Sequence, residues 1–389
     1  MTDNNLFSII PYKGKLLRLE NAESAMAYYQ HYAINLLTGK KLDYDFKNWI
    51  VENQSFLLSS KVQSPRVVHL FYEFGFLIEN EFDLLDQEAL LAIDIKFSSF
   101  CFTAPQDFNK IKLEPCLSPQ FEDYKKTFET GYQELLKGNC YQFNLTYPYL
   151  YSFEKNLRAE DFIFSLWRNV QSVGAYGSAT FVPYFNKLFL SNSPECLFQF
   201  KDKTLSAMPI KGTMSRNEAE DWKPLWNILK NDKKSQAELY MITDLLRNDL
   251  SRIELPRAQV VKKKFPKLVP GLLHQYSKID VELSAFIDLW SVISKVFPGG
   301  SITGAPKKRA MRLIHSLEKR ERGFYCGSTL IFYQQMKSAS INIRSAVIDF
   351  ENQTLLYQAG GGITLLSDVL DEFKEMTYKR DSFIHTLTL

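Results

Sequence analysis

The chain is poor in the residues that hold metals or disulfides: five cysteines and five histidines lie scattered through 389 residues. Cys101, Cys116, Cys140, Cys196 and Cys326 are odd in number, form no Cys-x-x-Cys, and have no histidine at ligand spacing. This argues against a disulfide framework or structural zinc and for a reducing compartment. No run of about 18 apolar residues occurs, and Met1 to Lys15 lacks an apolar signal core. A cytoplasmic protein is expected. An excess of one charge is also missing: 47 Lys and Arg against 44 Asp and Glu leave +3, with the basic residues dispersed. A nucleic-acid-binding face would concentrate them. Lys262, Lys263 and Lys264, close to Pro266 and Pro270, read as a solvated loop. No fixed-period repeat or low-complexity tract is found.

What the chain has is core material. Hydrophobic residues make up 45% and aromatics 14%, with 30 Phe and 20 Tyr, a supply suited to a large core. Spacing predicts helices at residues 22–37, from Ser118-Pro119 to Gly138, and at 160–173, 235–252, 283–296, 306–320 and 367–380. Strands are expected at residues 66–77, 141–151, 179–182, 187–190, 197–200, 205–210, 328–333, 341–350 and 354–358. Short turns between neighbouring strands favour antiparallel sheets with helices packed outside, an α+β protein. Residues 1–115 carry no catalytic spacing and are expected to fold into the same globule as a catalytic region, 116–389.

Four segments carry candidate chemistry. In Met208-Pro-Ile-Lys211-Gly-Thr213 a strand ends at a lysine, which is either a solvated surface residue or a nucleophile or base where Gly212 admits a ligand. Glu238, in ELYMITDLLRNDLSR, lies beside Ile242 and Leu245 on a largely apolar helix; it is either salt-bridged or a metal ligand. Phe297-Pro-Gly-Gly-Ser-Ile-Thr-Gly-Ala-Pro-Lys307 places glycines before a helix start with Lys307, Lys308 and Arg309. This is either a capped tight turn or an anion cradle, and it lacks the P-loop ending. After Gly360-Gly-Gly362, Asp368, Glu372, Glu375 and Lys379 form one polar stripe opposite Leu366, Leu370, Phe373 and Thr377. Glu375–Lys379 is either an exposed pair or part of a Mg²⁺ site. Arg344, within a β-like run, could receive a carboxylate bidentately.

In this order the segments resemble the chorismate-binding enzymes, the family of anthranilate, aminodeoxychorismate, isochorismate and salicylate synthases. The resemblance rests on GNCYQFNL (138–145), SPE (193–195), PIKGT (209–213), AELYMITDLLRNDLSRI (237–253), FPGGSITGAPKKRAM (297–311), INIR (341–344), QAGGGI (358–363) and DEFKEMTYK (371–379). It implies two antiparallel sheets forming a sandwich-like core flanked by helices around a cleft, with Mg²⁺ clamping a chorismate carboxylate. It further implies Glu238 and Glu375 as Mg²⁺ ligands with Glu372 nearby. Arg344, Tyr325, Lys379, His274, Ser301, Thr213 and the backbone at Gly360 and Gly362 are implied as substrate contacts, and Glu195 as the general acid. Ser235 stands where relatives often carry an acid, which would loosen the metal site.

Two positions set the expected subclass. Isochorismate and salicylate synthases have a lysine base where this chain has Gln142. Anthranilate synthases usually read Pro-Ile-Ala-Gly-Thr, whereas Lys211 resembles the aminodeoxychorismate synthases, in which that lysine attacks ring C2, expels the C4 hydroxyl and is displaced by ammonia. Freeing an ordinary lysine amine, pKa about 10.4, at neutral pH costs roughly 4–5 kcal/mol, so a special environment is required. No glutaminase signature is present, and the resemblance implies a separate glutamine amidotransferase subunit supplying ammonia. The rival expectations are an anthranilate synthase large subunit and an inactive homologue serving as a binding subunit.

Overall fold

A computed structural model describes residues 5–216, 220–269 and 272–389. Its main strands pair antiparallel in one continuous network. From one end the order is Gln259–Val269, Leu272–Glu282, Thr204–Met208, Cys196–Lys201, Met336–Ser340, Ser328–Gln334, Val62–Leu70 and Ala92–Thr103. It continues through Lys15–Tyr28, Phe7–Tyr12, Ser178–Val182, Lys187–Ser191, Ser345–Asp349, Thr354–Ile363, Gln142–Phe153 and Leu113–Leu117. Pairing therefore ties the N-terminal strands to both halves of the remainder. The expected antiparallel α+β architecture is what is found.

Alternation along the strands generates the core. Leu272–Glu282 alternates over most of its length, Ser178–Val182 and Ser328–Gln334 are buried on both faces, and helices cover the apolar sides. One hydrophobic cluster lies under the helices Lys233–Ser251 and Leu289–Val296 and contains Trp49, Ile242, Leu246 and Ile293. A second lies under the helices Phe121–Leu136, Ala159–Leu166, Lys307–Glu318 and Val369–Thr388. A third, including Ile10, Leu19 and Phe97, fills the space among the N-terminal strands. Fully burying each large side chain is worth about 1.5–3 kcal/mol.

Several expectations are corrected. Residues 22–37, expected as a helix, are the end of the Lys15–Tyr28 strand and the strand Tyr32–Asn35, because pairing with Ala92–Thr103 overrides the helical preference of Ala, Glu and Met. Lys262–Lys264 are not a loop: they lie in the strand Gln259–Val269, bulged against its partner. The helix after Ser118-Pro119 begins two residues later, with Gln120 at its N-cap. Residues 160–173 and 283–296 are α-helical only over Ala159–Leu166 and Leu289–Val296, with a separate 3-10 turn at Val170–Ser172. The run 66–77 is strand to Leu70 and then the short helix Phe74–Ile78. Residues 341–344 lie outside any strand, and Arg344 takes a left-handed turn, φ 53°. Gly360–Gly362, expected just beyond a strand, are inside it. Among the described residues, no helix is long and apolar enough to cross a membrane, and all five cysteines are free.

Candidate active site

The edge strand Ile210–Ser215 does not end at Lys211. Ile210 pairs with Tyr276 and Thr213 with His274, so Lys211 and Gly212 together oppose one residue, Gln275, in a β-bulge. Gly212 has φ +81°, and a Cβ there would fall 2.9 Å from Leu229 and 3.0 Å from Ser235; both conformation and space require glycine. The bulge turns the lysine towards the 233–251 helix. Its Nζ lies 3.6 Å from Glu238 Oε2, with each side chain about a fifth exposed, at 23% and 21%.

Glu195 is fixed from behind. It follows the strand Lys187–Ser191, its N–H donates to Ser193 Oγ, and its carbonyl accepts from Ile341 N–H. Its carboxyl is buried. Burial raises its pKa above the ordinary carboxylate range, although Ser301, Lys211 and Lys379 all favour the charged form. A raised carboxyl beside an amine is suited to donating a proton. Ser301 Oγ, in the turn Gly300–Ile302, is buried and makes no well-formed hydrogen bond.

The three sequence-picked carboxylates each meet a lysine. Glu238 faces Lys211, Glu372 accepts from Lys234 at 3.2 Å, and Glu375 accepts from Lys379 at 2.7 Å. Lys379 also donates to Gly360 O at 2.9 Å, joining the helix Val369–Thr388 to the glycine strand. Glu375 is held below the usual carboxylate range by Lys379 first, with Lys211 and Lys234 adding to it. Burial opposes the Lys234 ammonium, but Glu372, Glu238 and Glu375 outweigh it and raise its pKa. The carboxylates thus share one electrostatic neighbourhood with the lysines among them. Among the described residues, no three His, Cys, Asp or Glu side chains converge as a ready ligand set.

The polar stripe 368–379 is mixed: Asp368 and Glu375 are exposed, as Leu366 and Leu370 are, whereas Glu372 is buried beside the glycine strand and Phe373 packs on the second core cluster. A Cβ on Gly361 would lie 3.0 Å from Glu372 Oε2, and one on Gly360 only 2.1 Å from Leu145 O. Gln142, on the facing strand, is buried with Nε2 unpartnered, and a Cβ on Gly362 would fall 2.5 Å from that nitrogen. The cradle reading of Lys307, Lys308 and Arg309 is not supported: Lys307 pairs with Asp249, Lys308 with Glu81, and Arg309 donates to Asn139.

A second group gathers at His274. Its Nδ1 lies 2.8 Å from Thr213 Oγ1. Burial, with Lys267 and Arg344 nearby, lowers its pKa to about 4, so the ring is neutral at physiological pH. Tyr325 keeps different company. It is buried and stays a neutral phenol, raised by burial and by Cys326 and Tyr357; none of these neighbours is one of the three carboxylates. Sequence reasoning missed Lys234, which pairs with Glu372. Lys234 stands one helical turn before Glu238, a spacing that could have pointed to it.

The profile of the chorismate binding enzymes matches residues 52–385. Aminodeoxychorismate synthase component 1 of Salmonella typhimurium is 33% identical over 273 residues, 68% of this chain and 57% of that protein. Anthranilate synthase component 1 of Archaeoglobus fulgidus is 30% identical over 261 residues, 66% of this chain and 60% of that protein. The match thus spans less than two-thirds of either relative. The crystal structure of anthranilate synthase component I from Streptococcus pneumoniae superposes with a TM-score of 0.75 at 20% identity, covering 94% of this chain and 91% of that one. That last likeness concerns the fold.

Proposed function

We propose, from the premise that the chain belongs to the chorismate binding enzyme family, that it converts chorismate and ammonia to 4-amino-4-deoxychorismate. The observation that carries this reading is the placing of Lys211 beside the raised carboxyl of Glu195 and the carboxylate of Glu238. The Lys211 amine attacks ring C2, both double bonds of the conjugated ring diene shift by one place, and the C4 hydroxyl leaves as water with the Glu195 proton. Ammonia then attacks C4, both double bonds shift back, and the C2–Nζ bond breaks to release the lysine. The enolpyruvyl group is retained and the amine ends para to the ring carboxylate. Arg344, neutral His274, Lys379, Tyr325, Thr213, Ser301, Gln142 and the backbone at Gly360 and Gly362 are assigned to binding the substrate.

The donor set fits a hard divalent cation, since Glu238, Glu375 and Glu372 offer only carboxylate oxygens. They would hold Mg²⁺ once their lysine partners turn aside. When bound, Mg²⁺ supplies a positive charge for a substrate carboxylate. A glutamine amidotransferase subunit is the proposed ammonia source, and a lyase would carry the product to p-aminobenzoate for folate synthesis.

The test is incubation with chorismate, Mg²⁺ and an ammonium salt, with the product identified before and after adding the lyase. The para product is expected, with a covalent adduct detectable by mass spectrometry that is absent from Lys211→Ala. Formation of anthranilate would support the second reading, ortho amination, which the similarity to the archaeal anthranilate synthase favours. Full activity of Lys211→Ala would sink the nucleophile.

A further inference from the structure

The left-handed backbone of Arg344, φ 53°, is unfavourable for a residue with a side chain and persists only where its surroundings fix it. The turn that carries it is fixed at both ends. Upstream, Ile341 N–H donates to Glu195 O at 3.0 Å, and Ile341 O accepts from Ser193 Oγ at 2.6 Å. Downstream, Asn192 N–H donates to Arg344 O at 2.9 Å. Ser345 Oγ donates to Asn342 O at 3.1 Å, closing the turn around Ile343 and Arg344. Asn342 is thus the corner on which the turn shuts. Its N–H donates to Gly327 O and its carbonyl also accepts from Cys326 N–H, both at 2.9 Å. Its side chain is wholly buried. Oδ1 accepts from Ser340 Oγ at 2.7 Å and from Thr329 Oγ1 at 3.1 Å, whereas Nδ2 has no partner. What asparagine supplies here is an acceptor that ties the corner to the strands Ser328–Gln334 and Met336–Ser340. The tie continues: Thr329 Oγ1 lies 2.9 Å from His69 Nδ1, His69 Nε2 lies 2.9 Å from Thr180 Oγ1, and that oxygen lies 2.8 Å from Ser8 Oγ. One buried run of polar contacts therefore reaches from the strand Phe7–Tyr12 to the Arg344 turn.

We infer that Asn342 is a positioning residue for Arg344: its carboxamide oxygen, held by two hydroxyls, keeps the turn left-handed and so aims the guanidinium at a substrate carboxylate. The inference rests on the assignment of Arg344 to substrate binding above and extends it. A planar guanidinium grips a carboxylate through two parallel bonds, so its orientation matters as much as its charge. Without the anchor the turn is free to relax to negative φ, which swings the Arg344 side chain away. The general acid is spared that change. Ser193 and Ile341 hold the Glu195 segment through bonds that do not involve the Asn342 side chain.

The experiment measures kcat and KM for chorismate, with Mg²⁺ and an ammonium salt, in the parent, Asn342→Ala, Arg344→Lys and the double variant. Chorismate consumption is followed, so the comparison stands apart from which ring position is aminated. Asn342→Ala should raise KM by about tenfold and leave kcat within about threefold, the pattern of a lost contact made equally before and during reaction. Arg344→Lys keeps the charge without the fork and should raise KM by at least as much. In the double variant KM should match that of Arg344→Lys alone, because no fork remains to be aimed. A side chain that only stabilises the fold would multiply its effect on KM with that of Arg344→Lys, and that result overturns the inference. A parent-like KM in Asn342→Ala, or a fall in kcat at constant KM, overturns it as well. If Asn342→Ala does not fold, Ser340→Ala, which removes the shorter bond to Oδ1, takes its place in the same comparison. A parent-like KM in Arg344→Lys overturns the assignment of Arg344 and this inference with it.

Discussion

Glu195 carries opposed demands. Burial raises its pKa, and a carboxyl whose folded pKa exceeds its unfolded value binds more protons in the folded state between the two values. Stability therefore falls as pH rises through that window. Glu195→Gln keeps the shape and removes the titration. We expect it to melt higher than the parent at pH 8 in thermal scans, with the advantage shrinking towards pH 4, while turnover falls by about 10²–10⁴-fold, the usual worth of a general acid. A variant that lost activity but melted like the parent across that range would contradict the burial argument. His274 works in the opposite direction. Its folded pKa of about 4 lies below the ordinary histidine value, so the unfolded chain takes the proton first and stability declines as pH drops from about 6.5 towards 4. Replacing it by Gln should flatten that part of a stability–pH curve measured by urea denaturation. Glu195, Lys211 and Glu238 were legible as candidates because SPE, PIKGT and AELYMITDLLRNDLSRI occur in order with the other motifs of the resemblance. Lys234 was not, since a lysine near a helix start is ordinary until tertiary structure brings Glu372 to it.

Among the elements, the strand Thr354–Ile363 sets the tolerance of the site. Its ten residues pair with Gln142–Phe153 in unbroken register, and a methyl on Gly360 would have to enter the space of Leu145 O, 2.1 Å away. Because the obstacle is backbone, Gly360→Ala must part the two strands. We expect a loss of about 1–3 kcal/mol or more in urea denaturation, the usual range for overpacking. The sequence read Gly360 and Gly362 as backbone contacts for a ligand just beyond a strand, whereas they lie inside it, where strands and a carboxylate crowd together. The misread helix at 22–37 has a related cause. Ala, Glu and Met favour helix locally, and only the distant partner strand Ala92–Thr103 decides otherwise.

Across the whole molecule, one buried arginine gathers the parts around the cleft. Arg322 donates to Ile302 O, Asn144 O and both oxygens of Glu318, its own N–H donates to Glu73, and its carbonyl accepts from Gln358. Five elements that carry or flank Ser301, Gln142 and Gly360 therefore meet at one guanidinium and its peptide. Although burial opposes its charge, Arg322 and Arg320 keep Glu318 below the usual carboxylate range. Its stabilising share is present above the unfolded carboxylate pKa and is lost as pH falls through the lowered value. Glu318→Ala leaves the arginine charge buried without its counter-ion, and we expect about 3–5 kcal/mol of destabilisation at pH 7, read by urea denaturation. None of this was visible in the chain, where Glu318 closes a helix and Arg322 follows it without a motif.

The bulge at Lys211 and Gly212 has a consequence for descent. It lies on an edge strand, its geometry is enforced by glycine, and the lysine's ion-pair partner is a single carboxylate. The side chain at 211 can therefore be exchanged with little disturbance to the scaffold. Under the proposed function, a lineage could change the position of amination by mutation here without passing through poorly folded ancestors.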